Sequence, residues 1–232
     1  MAGVPDEGVN RAIAKTRILR LPKQVLTTFG TTNFHYYVLT TPTYLSSEED
    51  GEETAVREGR VIAERPRIIT PYYLSCTEGF SSSARRYLDI MVEKYGPNAP
   101  GLFYSYRNEP KGLSVVSKNL ELVAREIGAE ADSRGDLLTA IIGGEDELWD
   151  VSLLKFIFEM TRRSLPFNSG DFISRGLLNI DSSGLPLDAR IRLEELFTMA
   201  RQGEIEPREL KEELDRWGVF AEYEDRFFSL FR

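Results

Sequence analysis

The stretch that decides the fold is Thr27–Tyr44, TTFGTTNFHYYVLTTPTY, where aromatic and β-branched residues follow one another without a helical period. This composition is typical of β-strands, and we expect a strand over Asn33–Thr41. Apolar side chains fall on both sides of it, which predicts a central strand covered on both faces. One side carries Phe34, Tyr36 and Val38, and the other carries His35, Tyr37 and Leu39.

The composition predicts a globular protein of one large domain or two small ones. The chain has 232 residues, is 41% hydrophobic and carries a formal net charge of −8, which disfavours a nucleic acid partner. No run of about 18 or more apolar residues occurs, so we predict no membrane-spanning segment. A single cysteine excludes an intramolecular disulfide, and we expect a cytoplasmic protein.

Metal and cofactor sites are not predicted. One histidine and one cysteine cannot supply the four nitrogen and sulfur ligands of a closed zinc site. This count does not exclude a Mg²⁺ or Ca²⁺ site with oxygen ligands. For nucleotide cofactors, the chain contains neither the sequence motif of a phosphate-binding loop nor a dinucleotide-binding fingerprint. We therefore predict no metal and no cofactor.

Before residue 130 the pattern is mainly that of strands. Residues 1–13 resemble a frayed tail, and the acidic run Ser46–Glu53 predicts an exposed loop. Further expectations are a strand over Thr16–Leu21, a hairpin within residues 53–70 that turns at Glu58-Gly59, a helix that begins at Ser81 or Ser82, strands over Leu102–Tyr106 and Leu113–Val116 joined by RNEPKG, and a helix over Asn119–Ile127.

After a polar break at Ala129–Gly135 the pattern becomes helical. Helices are predicted over Asp136–Ile142, Glu147–Leu165, Leu187–Gln202, Pro207–Trp217 and Phe220–Phe231. We therefore predict an α+β fold, a mostly antiparallel sheet with flanking helices followed by a helical C-terminal region. The sheet domain covers residues 14–130, and the helical region, residues 131–232, packs on it.

Three short motifs suggest chemistry, but each has a plainer explanation. IIGGEDELWD is superficially similar to the GG[DE]EF signature of nucleotide cyclases. The last two residues of that signature, Glu and Phe, are replaced here by Asp146 and Glu147. A helix end at Gly143-Gly144 is the simpler interpretation. The serines from Ser81 to Ser83 lack the second glycine of a nucleophile elbow, so helix capping explains them better. Cys76 could be activated by His35 alone, and we expect an inert thiol.

One basic grouping predicts a ligand site. Arg57, Arg60, Arg65 and Arg67 follow one another closely, and strand alternation puts Arg65 and Arg67 on one face. Arginine beside tyrosine can bind phosphate, carboxylate or a stacked base. Interleaved glutamates favour an alternative, a solvated strand with cross-strand ion pairs, and His35 has its own alternative as a packed residue. The predicted ligand-binding residues are His35, Tyr37, Arg65, Arg67, Tyr72 and Tyr73.

The C-terminal helix predicts a contact surface. Its aromatic residues recur at helical spacing, so they either pack on the protein's own core or bind a partner. We expect both, with Phe228 and Phe231 the most exposed. The predicted partner-binding residues are Phe220, Tyr223, Phe227, Phe228 and Phe231.

Two functions remain open on the sequence. The first is a cytoplasmic, non-enzymatic interaction or regulatory protein that binds a protein partner or a second copy of itself through the C-terminal helix. The second is an enzyme acting on a small anionic or nucleotide-like substrate through the Arg57–Arg67 hairpin and His35. The first is preferred because no catalytic motif is complete.

Overall fold

The computed structural model describes residues 7–44, 53–76, 89–90 and 92–231. The chain divides into two compact units. The first unit contains Met1–Arg65 and Tyr104–Asn168, and the second contains Pro66–Phe103 and Ser169–Arg232. The expected loop at Ser46–Glu53, apart from Glu53, and most of the helix expected after Ser81 lie outside the described residues.

The elements confirm an α+β fold with helices towards the C-terminus. The strands are β1 (Arg17–Arg20), β2 (Thr32–Thr40), β3 (Thr54–Ala63), β4 (Arg67–Ile69), β5 (Gly101–Phe103), β6 (Tyr106–Val116) and β7 (Thr139–Gly144). The helices are α1 (Glu7–Lys15), α2 (Pro71–Ser75), α3 (Leu120–Ser133), α4 (Trp149–Ser174), α5 (Leu187–Gln202), α6 (Pro207–Trp217) and α7 (Phe220–Phe228), with a 3-10 turn at Ser229–Phe231. Residues 89–90 and 92–95 are also helical.

The first unit is built on a five-stranded sheet in the order β1-β7-β2-β3-β6. The neighbouring strands are antiparallel except for β2 and β7, which run parallel. Strand β2 is therefore central, as predicted. Tyr36 on β2 stands opposite Gly59 on β3, and a side chain at Gly59 would place its Cβ 2.3 Å from the Tyr36 Oη. The absence of a side chain at Gly59 thus makes room for the Tyr36 ring.

Helices cover both faces of this sheet. On one face, Phe34 and Tyr36 pack with Phe156 and Met160 of α4 in a buried cluster. On the other face, Leu39 packs with buried residues that include Val123 of α3. Two-sided burial explains why the sequence of β2 is apolar at both odd and even positions.

The second unit combines the two-stranded sheet β4-β5 with helices α5, α6 and α7. The three helices share a buried cluster whose members include Phe197, Leu214 and Tyr223. Local signals set the limits of α6, because Pro207 is its first residue and Gly218 follows its end with a φ of 68°. The predicted bounds of α5 and α6 are confirmed by the structure.

Several sequence expectations in the first unit are wrong. Residues 54–63 form one continuous strand without a turn at Gly59, because β3 pairs with β2 on one side and β6 on the other. The RNEPKG segment lies within β6 and is not a loop. The described part of the expected tail contains helix α1.

The largest correction concerns Asp136–Ile142, which was expected to be helical. Thr139–Gly144 is strand β7, and it pairs with both β1 and β2. A short apolar run has no periodicity that separates a buried strand from a buried helix, so its partners decide. Gly143 and Gly144 consequently end a strand and not a helix.

The two units also differ from the domains expected over residues 14–130 and 131–232. Strand β7 belongs to the first unit although it follows residue 130, because its hydrogen-bonding partners β1 and β2 lie there. Residues 66–103 belong to the second unit.

Candidate functional site

His35 and Tyr37 lie on the α3 face of β2, in the first unit. The His35 side chain is 46% exposed, and its Nδ1 lies 3.2 Å from the Asp136 Oδ2. The expectation that His35 is a packed core residue is therefore wrong. On this face of the sheet the first residues of β2, Asn33 and His35, are exposed, and burial begins at Tyr37. Tyr37 is half-buried beside α3, and burial raises its pKa above the ordinary value.

The arginines of β3 are engaged in ion pairs. Arg60 Nη2 lies 2.5 Å from Glu109 Oε2, and the two residues stand opposite each other on β3 and β6. Arg65, just after β3, lies over the Phe29 ring at 5.7 Å. The cross-strand ion pair is the alternative that the interleaved glutamates predicted.

Arg57 lies in a denser group of polar side chains, which we call the sheet-end network: Thr40, Arg57 and Asp146. Arg57 Nη1 is 2.7 Å from Asp146 Oδ1, and both side chains are largely buried. Thr40 Oγ1 donates a 2.6 Å hydrogen bond to the same carboxylate. Burial alone would raise the pKa of Asp146, but the hydrogen bonds from Thr40 and Arg57 outweigh it and lower this pKa below its ordinary value.

The sheet-end network lies where the parallel strands β2 and β7 end together. This edge is where ligands commonly bind in parallel sheets. The sequence did not indicate this network, because the acidic residues that follow β7 have a pattern typical of the start of a helix. The neighbouring Glu145 is also paired, with Arg11 Nε at 2.9 Å and Lys15 Nζ at 3.2 Å from its Oε1. Thr40, Arg57 and Asp146 thus satisfy one another, whereas the buried Glu145 Oε2 has no hydrogen-bond partner among the described residues.

Three predicted ligand residues, Arg67, Tyr72 and Tyr73, belong to the second unit. Arg67 and Tyr73 line a cavity of about 260 Å³, which we call the Arg67 cavity. Its walls also include Ile68, Ile69, Leu74, Phe103, Glu213 and Arg216. Tyr72 is exposed and does not line it. The structure therefore brings two predicted residues together with Glu213 and Arg216, which the sequence analysis missed.

Glu213 connects the wall of this cavity to the aromatic core of the second unit. Tyr73 Oη donates to Glu213 Oε2 at 3.1 Å, and Trp217 Nε1 donates to Glu213 Oε1 at 3.2 Å. The Tyr73 and Trp217 rings are also in contact, with centroids 4.6 Å apart. Burial, followed by the charge of Glu213, raises the pKa of Tyr73, so its hydroxyl remains a neutral donor at pH 7.

The aromatic residues of α7 and of the 3-10 turn that follows it separate into an inner and an outer set. Tyr223 and Phe227 are buried in the cluster of the second unit, and Phe220 packs against that cluster. Phe228 and Phe231 are 50% and 63% exposed. The expectation that these two are the most exposed of the predicted partner residues is confirmed. We call Phe228 and Phe231 the outer aromatic pair.

The described residues contain neither a metal-binding cluster nor a membrane-spanning helix. No group of three or more histidine, cysteine, aspartate or glutamate side chains in this part of the chain could hold a metal ion. Within the same residues, no helix has the length and apolar character needed to cross a membrane. Cys76 is a half-buried free thiol.

Comparisons with protein-family models, with curated proteins and with solved structures gave no match to this chain.

Proposed function

We propose that this chain is a non-enzymatic interaction or regulatory protein that acts in the cytoplasm and contacts a protein partner, or a second copy of itself, through the outer aromatic pair. The observation that supports the proposal is the exposure of Phe228 and Phe231 beside the buried ring of Phe227. Their ring centroids lie 5.7 Å and 5.6 Å from that of Phe227. Aromatic side chains anchored on a packed core in this way are frequent centres of binding energy in protein interfaces.

The outer aromatic pair is only partly buried by the fold. Full burial of a phenylalanine side chain stabilises a protein by roughly 1.5–3 kcal/mol, and the exposed part of each ring does not contribute to this stabilisation. A partner that covers both rings would recover it without any change in the fold. The net charge of −8 gives no support to a nucleic acid as this partner.

A double variant, Phe228→Ser with Phe231→Ser, tests the proposal. Because the fold buries only part of each ring, the variant should lose about 1–3 kcal/mol of stability and remain folded. Sedimentation velocity over a range of concentrations should show self-association of the wild type that the variant loses, or a pull-down should recover a partner that the variant fails to bind. The matched control is Phe167→Ser, because Phe167 is exposed to a similar degree, 61%, in α4.

The proposal is contradicted if the wild type remains monomeric and the double variant recovers the same proteins as the wild type. It is also contradicted if Phe167→Ser has the same effect as the double variant, because exposed aromatic surface in general would then explain the association.

The alternative function is an enzyme acting on a small anionic or nucleotide-like substrate through the Arg57–Arg67 segment and His35. It relies on His35 in the first unit and Arg67 in the second. The hairpin that was to hold the arginines is replaced by the continuous strand β3. No observation favours this alternative over the interaction proposal.

A further inference from the structure

We propose that the Arg67 cavity is a binding site for a small monocarboxylate with an apolar, preferably aromatic, body. This inference goes beyond the contact surface of α7, since neither Phe228 nor Phe231 lines the cavity.

The first observation is the state of Arg67. Arg67 and Phe103 stand opposite each other on β4 and β5, and the Arg67 guanidinium lies over the Phe103 ring at 5.6 Å. Within the described residues no carboxylate forms an ion pair with Arg67. A guanidinium in this state keeps its planar set of donors available, and the oxygens of a carboxylate or a phosphate match their spacing.

The second observation is the apolar character of the remaining wall. Leu74 and Phe103 line the cavity and are still 37% and 40% exposed, so a ligand could cover apolar surface that the fold leaves open. Ligand sites usually combine such a wall with a few placed polar groups. The volume of about 260 Å³ is close to the small end of such sites and restricts the ligand to a compact molecule.

The third observation is the charge of the lining, which selects the ligand's charge. Two arginines and one glutamate line the cavity, Arg67, Arg216 and Glu213. Arg216 Nη1 lies 3.5 Å from Glu213 Oε2, so the glutamate offsets Arg216 and leaves Arg67 as the excess positive charge. A single negative charge balances that excess, whereas a dianionic phosphate would be repelled by Glu213.

The hydrogen bond from Trp217 to Glu213 provides a direct readout. The chain has two tryptophans, Trp149 in the first unit and Trp217 in the second, so two indole N–H signals are expected in a ¹H–¹⁵N NMR spectrum. A Trp149→Phe variant assigns them. On titration with phenylacetate up to about 10 mM, a range that reveals even millimolar affinity, the Trp217 signal should move and the Trp149 signal should not.

Two comparisons show whether Arg67 recognises the carboxylate. Phenylacetamide has the same shape without the charge, and it should leave the Trp217 signal in place. Arg67→Gln should weaken phenylacetate binding at least about tenfold, as expected for loss of a hydrogen-bonded charge partner. The matched control is Arg208→Gln, since Arg208 lies on the same helix as Arg216 and pairs only with Glu212 at the surface.

The charge argument has its own test. Phenyl phosphate should not bind the wild type, and it should bind Glu213→Gln, in which the repelling charge is removed. The inference is overturned if phenylacetate leaves Trp217 unaffected, if phenylacetamide or phenyl phosphate binds the wild type as well as phenylacetate does, or if Arg67→Gln binds as the wild type does. The comparison of the three ligands uses the wild type alone, so it stands even if a variant fails to fold.

Discussion

The sheet-end network of the first unit and the Arg67 cavity of the second unit use the same types of side chain in opposite ways. In the network, the Arg57 guanidinium is 2.7 Å from a largely buried carboxylate that also accepts from Thr40. In the cavity, Arg67 contacts an aromatic ring, and Glu213 is engaged by Tyr73, Trp217 and Arg216. An arginine that is fully paired holds two strand ends and a loop together, whereas an arginine beside apolar walls is available to a ligand.

The largest expected effect comes from damaging β2, the strand that brings Thr40 to the network. Tyr36 is fully buried, and Tyr36→Ala should destabilise the protein by about 3–5 kcal/mol, as large aromatic truncations do. Gly59→Ala should cost about 1–3 kcal/mol, because its Cβ would overlap the Tyr36 ring. Urea unfolding of both single variants and the double variant provides the measurement.

The two costs should not add. In the Tyr36→Ala background the space above Gly59 is empty, so Gly59→Ala should then cost close to nothing. Additive costs would show that the conflict at Gly59 involves the backbone of β3 and not the Tyr36 ring.

The next effect compares the two arginines directly. Arg57→Gln leaves Asp146 largely buried without its ion-pair partner and should cost about 2–4 kcal/mol, somewhat less than for a fully buried pair. Arg67→Gln, the matched substitution in the cavity, should stay within about 0.5 kcal/mol of the wild type. Chemical denaturation compares them. Equal costs would remove the distinction between a structural arginine and a ligand-binding one.

The smallest effect is the pH dependence of the network. A carboxyl whose pKa is lower in the folded than in the unfolded protein adds stability above the unfolded value, about 3.9, and loses it as the pH falls through the folded value. The pKa of Asp146 is lowered in this way. The stability difference between the wild type and Asp146→Asn should therefore be constant from about pH 7 to pH 5 and shrink below about pH 4.

Thermal unfolding at a series of pH values measures this difference, with Arg67→Gln as a control that should show no such change. A difference that grows as the pH falls would mean that Asp146 has a raised pKa, and burial would then outweigh the hydrogen bonds of the network.

The contrast between the units also explains which parts of the structure could be predicted. Helices α5 and α6 were predicted with correct bounds because their signals are local: Pro207 begins one helix, and Gly203 and Gly218 follow the ends of both with positive φ. Phe228 and Phe231 were also expected to be the most exposed of the C-terminal aromatic residues, and they are 50% and 63% exposed.

The errors fall where a strand depends on distant partners. Gly59 has a sequence context typical of a turn, but β2 and β6 pair along both sides of β3 and keep it one strand, with a shift of register against β6 between Glu58 and Gly59. Thr139–Gly144 became a strand because it lies between β1 and β2, which precede it by more than a hundred residues. Propensity is a weak signal when pairing on both sides contributes more.

The candidate ligand site was predicted in part. Arg67 and Tyr73 line one cavity as expected of ligand residues, but His35 and Tyr37, which were predicted with them, lie on β2 of the first unit. Glu213 accepts from Tyr73 across 140 residues of chain, and no sequence spacing could have indicated that contact.

The amino-acid sequence by itself determined the fold class, the central two-faced strand, the C-terminal helices and the acidic charge, because each depends on composition or on contacts between near neighbours in the chain. The tertiary structure alone decided which arginines are paired and which remain available. Arg57 meets Asp146 because parallel strands β2 and β7 end side by side, and Arg67 shares a cavity with Glu213 and Arg216 because α6 packs beside α2. The charge on an arginine is a property of the residue, but whether that charge is neutralised depends on which distant side chains the fold brings to it.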